Sequence, residues 1–124
     1  MMAIAALALV LSACGADANT DNDEAAPSPE STVNLQLIAF KPENLTVAAG
    51  TAVTWSNKDG TDHTVTSGAV DQQGGTATSR PDGKFDSGTL KGGGEFSFTF
   101  PAAGTYSYFC KLHPATMRGQ ITVT

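Results

Sequence analysis

A chain of 124 residues is long enough for one domain of modest size and too short for two of ordinary size. Its formal charge of −5 is unevenly placed: five acids and no base fall in residues 15–32, whereas from Val33 onward seven acids meet seven bases. The part able to fold is therefore neutral, which excludes the basic footprint of a nucleic-acid binder.

Taken in chain order, residues 3–11 (AIAALALVL) form an apolar run of nine, too short to span a bilayer and suited to the hydrophobic region of an export signal. The LSAC that ends at Cys14 resembles the lipobox of bacterial lipoproteins, although MMAI carries no Lys or Arg ahead of it. The expectation is a signal peptide over residues 1–13, a lipidated Cys14 that holds the chain to a membrane, and an exported protein, either at the outer face of the cytoplasmic membrane or in the periplasm. Residues 15–32 (GADANTDNDEAAPSPEST) contain no large apolar side chain and read as a disordered acidic tether. As a flexible coil it would span ~25 Å on average and ~60 Å at full stretch.

From Val33 to Thr124 the chain reads as one domain of short strands. VNLQLIAF, LTVAA, AVTWSN, DHTVTS, EFSFTF, GTYSYFC and GQITVT are rich in Val, Thr, Phe and Tyr, and several alternate apolar with polar residues. Turn chemistry (AAG, KDG, DSG, KGGG, PAAG) separates them, and no segment holds a helical period. The expected fold is all-β, an antiparallel Greek-key sandwich of seven to eight strands. Residues 68–83 (GAVDQQGGTATSRPDG) fit no strand pattern and read as a solvated excursion or a docking loop. Period two also aims side chains: Phe96, Phe98 and Phe100 share one face, Tyr106, Tyr108 and Cys110 are in phase, Val65 puts His63 on its own face, and Ile121 and Val123 do the same for Met117.

The last strand pair is joined by YFCKLHPATMRG, which places Cys110, His113 and Met117 within eight residues. With Cys14 lipidated, Cys110 is an odd cysteine in an exported protein and calls for an explanation. A Cys14–Cys110 disulfide, an inert buried thiol, a satisfied strand histidine at position 63 and a core-filling Met117 are the separate plain readings. Together the residues match C-x2-H-x3-M with a distant strand histidine, and a trigonal His2Cys set with a weak axial thioether is the blue-copper arrangement. Thiolate and thioether favour Cu(I) while imidazole accepts Cu(II). Zinc is the rival metal, but its structural sites take four Cys or His ligands.

These residues, with FKPENLTVAAGTAVTWSN, DHTVTS, FDSGTL and FSFTFPAAGTYSYFC around them, resemble the cupredoxins, in particular the small blue-copper proteins of the plastocyanin/amicyanin type. The resemblance covers nearly all of residues 33–124. It implies one type 1 copper ion held by His63, Cys110, His113 and Met117, with Thr64 tying the ligand loop by hydrogen bonding. Three residues separate His113 from Met117, against two in amicyanins and four in plastocyanins. The implied function is one-electron transfer by a monomer between membrane-associated redox proteins, a donor and an acceptor, rather than catalysis. Two histidines leave nothing from which to build the further His-rich centres of multicopper oxidases. Cys110 also lacks the orienting third group and oxyanion hole of a thiol protease. Docking is expected on an apolar patch where His113 emerges among Leu112, Pro114, Ala115 and Phe109, with Lys111 and Arg118 steering at the rim. A copper-storage or delivery module at the cell surface shares the same ligands, and a structural sandwich with a degenerate site is a third reading.

Overall fold

The structure, a computed structural model, describes residues 31–124; the expected signal, Cys14 and residues 15–30 of the expected tether lie outside the described residues. Nine strands form: β1 (Thr32–Leu35), β2 (Phe40–Lys41), β3 (Asn44–Val47), β4 (Ala52–Asn57), β5 (Thr66–Gln73), β6 (Thr76–Asp86), β7 (Glu95–Thr99), β8 (Gly104–Phe109) and β9 (Arg118–Val123). They build two sheets, ordered β2-β1-β4-β7 and β3-β9-β8-β5-β6. The all-β sandwich expected from the alternation is present, with no helix among the described residues. Its first strand starts at Thr32, and Ser31 is already buried, so the last two residues of the expected tether belong to the folded part.

Two details differ from expectation. The sheets are mixed rather than purely antiparallel, because β1 runs parallel to β4 and β3 parallel to β9. There are also nine strands, because VNLQLIAF is not one strand: Leu37 and Ile38 take φ of 57° and 54°. The Gln36 amide donates to the Ala39 carbonyl across that turn at 2.9 Å. The chain reverses there, so β2 pairs back antiparallel on β1. Alternation states which way side chains face, but not which way a strand runs relative to a partner distant in sequence. That direction follows from the chain changing sheets between β2 and β3, β3 and β4, β4 and β5, β6 and β7, and β7 and β8.

The segment 68–83 is the larger correction. It is not an open loop but most of the β5–β6 hairpin, paired from Gly68↔Pro81 to Gln73↔Thr76. Gly74 and Gly75, at φ 58° and 84°, close it as a two-residue turn of the type that matches strand twist. A register shift between Thr66 and Gly68 lets the hairpin leave the sandwich. Gly68 sits at φ 137°, and a Cβ there would lie 2.2 Å from the Arg80 carbonyl oxygen, so no other residue fits. Beyond that point nearly every side chain is half-buried or exposed. Both faces of the hairpin meet water, so no apolar alternation marks it as strand.

The core is aromatic. Trp55 from β4 lies 5.4–6.3 Å, centroid to centroid, from Phe85, Phe96, Phe100 and Tyr108. Val33, Leu35, Val53, Ile121 and Val123 complete the layer between the sheets. Burial pushes the Tyr108 hydroxyl above its ordinary range, while the Trp55 indole opposes the rise and Glu43 adds to it. The indole N–H and the Tyr108 hydroxyl are nonetheless both buried outside hydrogen-bonding geometry.

Candidate metal centre

Three segments bring the expected donors to one end of the sandwich. His63 is fully buried and held by a two-way backbone bridge to Leu90, its amide donating to the Leu90 carbonyl at 3.0 Å and its carbonyl accepting from the Leu90 amide at 2.7 Å. The turn before it is fixed by Asn57, which accepts from the Asp59 amide and donates to the carbonyls of Thr61 and Leu90, each at 2.9 Å. Cys110 directly follows β8, free and fully buried. The loop from Cys110 to Met117 is closed on itself: the Cys110 amide donates to the Met117 carbonyl at 3.0 Å, and the Met117 amide to the His113 carbonyl at 2.9 Å. That closure carries the fully buried Met117 back under the cysteine from which the loop starts. Three donors thus come from one locally wound loop, and His63 arrives from the opposite connection.

Cys110 Sγ lies 3.8 Å from His63 Nδ1 and 3.7 Å from His113 Nδ1, and the three donor atoms lie within 4.8 Å of one another. These separations can be compared with a shared ion. With metal–nitrogen and metal–sulfur distances of ~2.05 and ~2.3 Å, a trigonal 120° angle puts N and S ~3.8 Å apart, and a tetrahedral angle ~3.6 Å. The observed 3.8 and 3.7 Å are of the size that one shared ion requires. The two imidazoles and the thiol are of the right kind and gathered together, with Met117 buried at the end of the same loop, so the residues present fit a copper ion.

The surroundings are wired to the ligands. The Thr64 amide donates to Cys110 Sγ at 3.3 Å, and Thr64 Oγ1 accepts the Lys111 amide at 2.8 Å, the tying role that the family resemblance implied. Thr64 continues to Thr66 at 3.1 Å, Thr66 donates to Asp86 at 3.2 Å, and Lys111 Nζ pairs with Asp86 at 2.5 Å. Burial works to raise the Asp86 carboxyl, but Lys111, the Gly88 amide and Thr66 outweigh it and hold the group below its ordinary value. Lys111 is thus engaged beside the thiol and is not a free steering charge, whereas Arg118 is exposed. His63 Nε2 lies 2.8 Å from Asp59. Neither Asp59 nor Asp86 was expected from the sequence. Asp59 stands four residues before His63 in the turn KDG, which carries a turn signal and no metal signal.

The surface around His113 only partly matches expectation. Leu112 is 52% exposed, His113 and Pro114 are half-buried, and Ala115 is exposed. Phe109 is fully buried and contributes nothing to the patch, because it is in phase with neither Tyr108 nor Cys110 and sinks under the opposite face of the sheet. Leu37 and Ile38 are the other exposed large apolar residues among those described. The β5–β6 hairpin, expected as a solvated excursion, reaches the ligand loop: Gln72 Nε2 donates to the Ala115 carbonyl at 3.3 Å.

An all-β sandwich that gathers His63, Cys110, His113 and Met117 at one end defines a type 1 copper protein. Residues 28–124 match the copper binding proteins, plastocyanin/azurin family, and the chain belongs to that family. It is 35% identical over 88 residues to the plastocyanin of Scenedesmus fuscus, a match that takes in 69% of this chain and 87% of the relative. It is 29% identical over 98 residues to the amicyanin-alpha of Methylorubrum extorquens, with 79% and 75% of the two chains aligned. Among solved structures, a Cu(I) form of an amicyanin variant superposes with a TM-score of 0.56 at 30% identity, covering 75% of this chain and 80% of that one. A purple cupredoxin from Nitrosopumilus maritimus superposes at 0.61 with 27% identity, covering 76% and 99%.

Proposed function

We propose that this protein is a one-electron carrier, not an enzyme, with a single copper ligated by His63, Cys110, His113 and Met117. The convergence of two Nδ1 atoms on Sγ, at 3.8 and 3.7 Å, carries the reading. When bound, copper supplies the Cu(I)/Cu(II) couple. The chain does the rest. The Thr64 amide stabilises the Cys110 thiolate by donating to it. The backbone bridge to Leu90 and the self-closed ligand loop keep the donors in one arrangement, so little moves when charge changes. Three of the four ligands are fully buried, which suits retention of the ion over its handover and favours the carrier over a storage or delivery module. Addition of one equivalent of Cu(II) should produce an intense visible band and a reversible potential. A colourless complex would remove the reading.

The half-buried His113 is the route outward, flanked by Leu112 and Ala115. Redox donor and acceptor proteins dock there through a small apolar contact of the kind weak electron-transfer encounters use. Leu112→Asp should slow electron exchange with such a partner by about tenfold or more, because it places a charge in the contact, while the visible band stays unchanged. Equal stopped-flow rates in both proteins would move the docking surface elsewhere.

Export and lipidation at Cys14 complete the reading, supported by the apolar run 3–11, the LSAC that ends at Cys14, and the polar tether. A membrane-held carrier on a leash of ~60 Å reach can swing between neighbouring redox complexes. Cell fractionation should find the Cys14→Ser protein released from membranes; an unchanged membrane fraction would refute the anchor.

A further inference from the structure

The turn at Leu37–Ile38 is an oddity that the sheets do not require. Both residues occupy the left-handed region, which leucine avoids and β-branched isoleucine avoids more. Neither is compensated by packing, since Leu37 is 73% and Ile38 38% exposed. What the conformation does achieve is to turn two successive amides toward one anion, as in the backbone concavities that hold anionic groups. The anion is Asp59. Its Oδ1 accepts the Leu37 N–H at 2.8 Å and its Oδ2 accepts the Ile38 N–H at 3.0 Å. The same Oδ2 lies 2.8 Å from His63 Nε2, and the Asp59 amide is held in turn by Asn57 Oδ1 at 2.9 Å.

We infer that Asp59 is the positioning residue of His63, and that the Leu37–Ile38 turn holds Asp59 in place for that purpose. Both oxygens of the Asp59 carboxylate accept a backbone N–H, at 2.8 and 3.0 Å, so the group sits there as an acceptor-only carboxylate. An ionised carboxylate has no proton to give, so the ring nitrogen bonded to it must be the N–H. His63 therefore carries its proton on Nε2 and its lone pair on Nδ1, the atom 3.8 Å from Cys110 Sγ. Partners of this kind fix the tautomer and ring orientation of histidine ligands. Here the partner is itself clamped from a connection 21 and 22 residues away in sequence. The proposal rests on the copper reading only for the use of that lone pair; the tautomer belongs to the metal-free chain.

The test is accordingly made on metal-free full-length protein, by long-range proton–nitrogen NMR under mildly alkaline conditions. His63 should be almost wholly the Nε2–H tautomer. The near-isosteric Asp59→Asn should shift the tautomer ratio by about tenfold or more, the factor carried by one hydrogen bond to a charged group, with the His113 signals as an internal control. Leu37→Pro, which removes the donor to Oδ1 and forbids the positive φ at an exposed position, should shift the ratio in the same direction and speed hydrogen exchange at the Ile38 amide. If that variant does not fold, Leu37→Val, whose β-branch disfavours the positive φ at an exposed position, carries the arm. An unchanged ratio in Asp59→Asn overturns the positioning role. A shift in Asp59→Asn with none in the turn variant overturns the clamp. Copper binding enters neither readout, so failure of the copper reading is distinguishable from failure of this one.

Discussion

Cys110→Ser is expected to yield a folded protein that stays colourless with Cu(II) and gains almost no thermal stability from it. Sγ lies within 3.8 Å of both imidazole Nδ1 atoms, so its removal takes away the shared vertex of the site. A serine hydroxyl remains protonated near neutrality and is hard where a thiolate is soft, so it favours neither oxidation state of copper as the thiolate does. The fold should tolerate the change, because the substitution is nearly isosteric and Thr64 can donate its amide to an oxygen as it does to sulfur. In the parent, copper at a thousandfold excess over its dissociation constant adds about 4 kcal/mol, or roughly 15–30 °C in melting temperature for a domain of this size. In the variant that gap should shrink to a few degrees. Absorption spectra and paired melts with and without copper check both halves. A visible band of parental intensity in Cys110→Ser would mean that the thiolate is not a ligand.

Trp55→Ala is the largest stability change we expect from one substitution. The indole is fully buried and packs against aromatic rings from both sheets, Phe96 of β7 and Phe100 just past it on one side, Phe85 of β6 and Tyr108 of β8 on the other. Removing it leaves a cavity that these rings cannot fill without breaking their contacts with one another, at a cost of about 3–5 kcal/mol. For a domain of this size that corresponds to roughly 15–30 °C in melting temperature. Trp55→Phe should lose less than half as much, because it keeps most of the volume and removes a buried N–H that has no partner. Denaturant unfolding of the metal-free proteins separates the cases. Similar losses in both variants would mean that the indole edge, not its volume, holds the core together.

The residues that carry chemistry were legible because they are local. Cys110, His113 and Met117 sit on one loop whose internal hydrogen bonds nearly dictate their convergence, so their spacing alone announces a site. His63 needed more: it stands before β5 in an isolated bridge to Leu90, and residues 63–68 are all buried, so its phase with Val65 does not by itself mark which way it faces. Phe96, Phe98 and Phe100 turned inward as alternation requires. Phe109 defeated the same reasoning about exposure: a residue out of phase with the core is exposed only if nothing covers the outer face. The β5–β6 hairpin defeated it differently, since a strand wet on both faces has no apolar period to detect.

The amino-acid order by itself determined the Cys110–Met117 donor loop, the strand-rich character and the inward faces, because these depend on spacings of two to seven residues along a backbone of fixed geometry. Only the tertiary structure decided the parallel pairing of β1 with β4 and β3 with β9, the engagement of Lys111 by Asp86, and the clasp of Asp59 on Leu37, Ile38 and His63. Each of these except the near bond from Asp59 to His63 joins groups about twenty or more residues apart, and such a contact depends on how whole sheets pack, which no local pattern encodes.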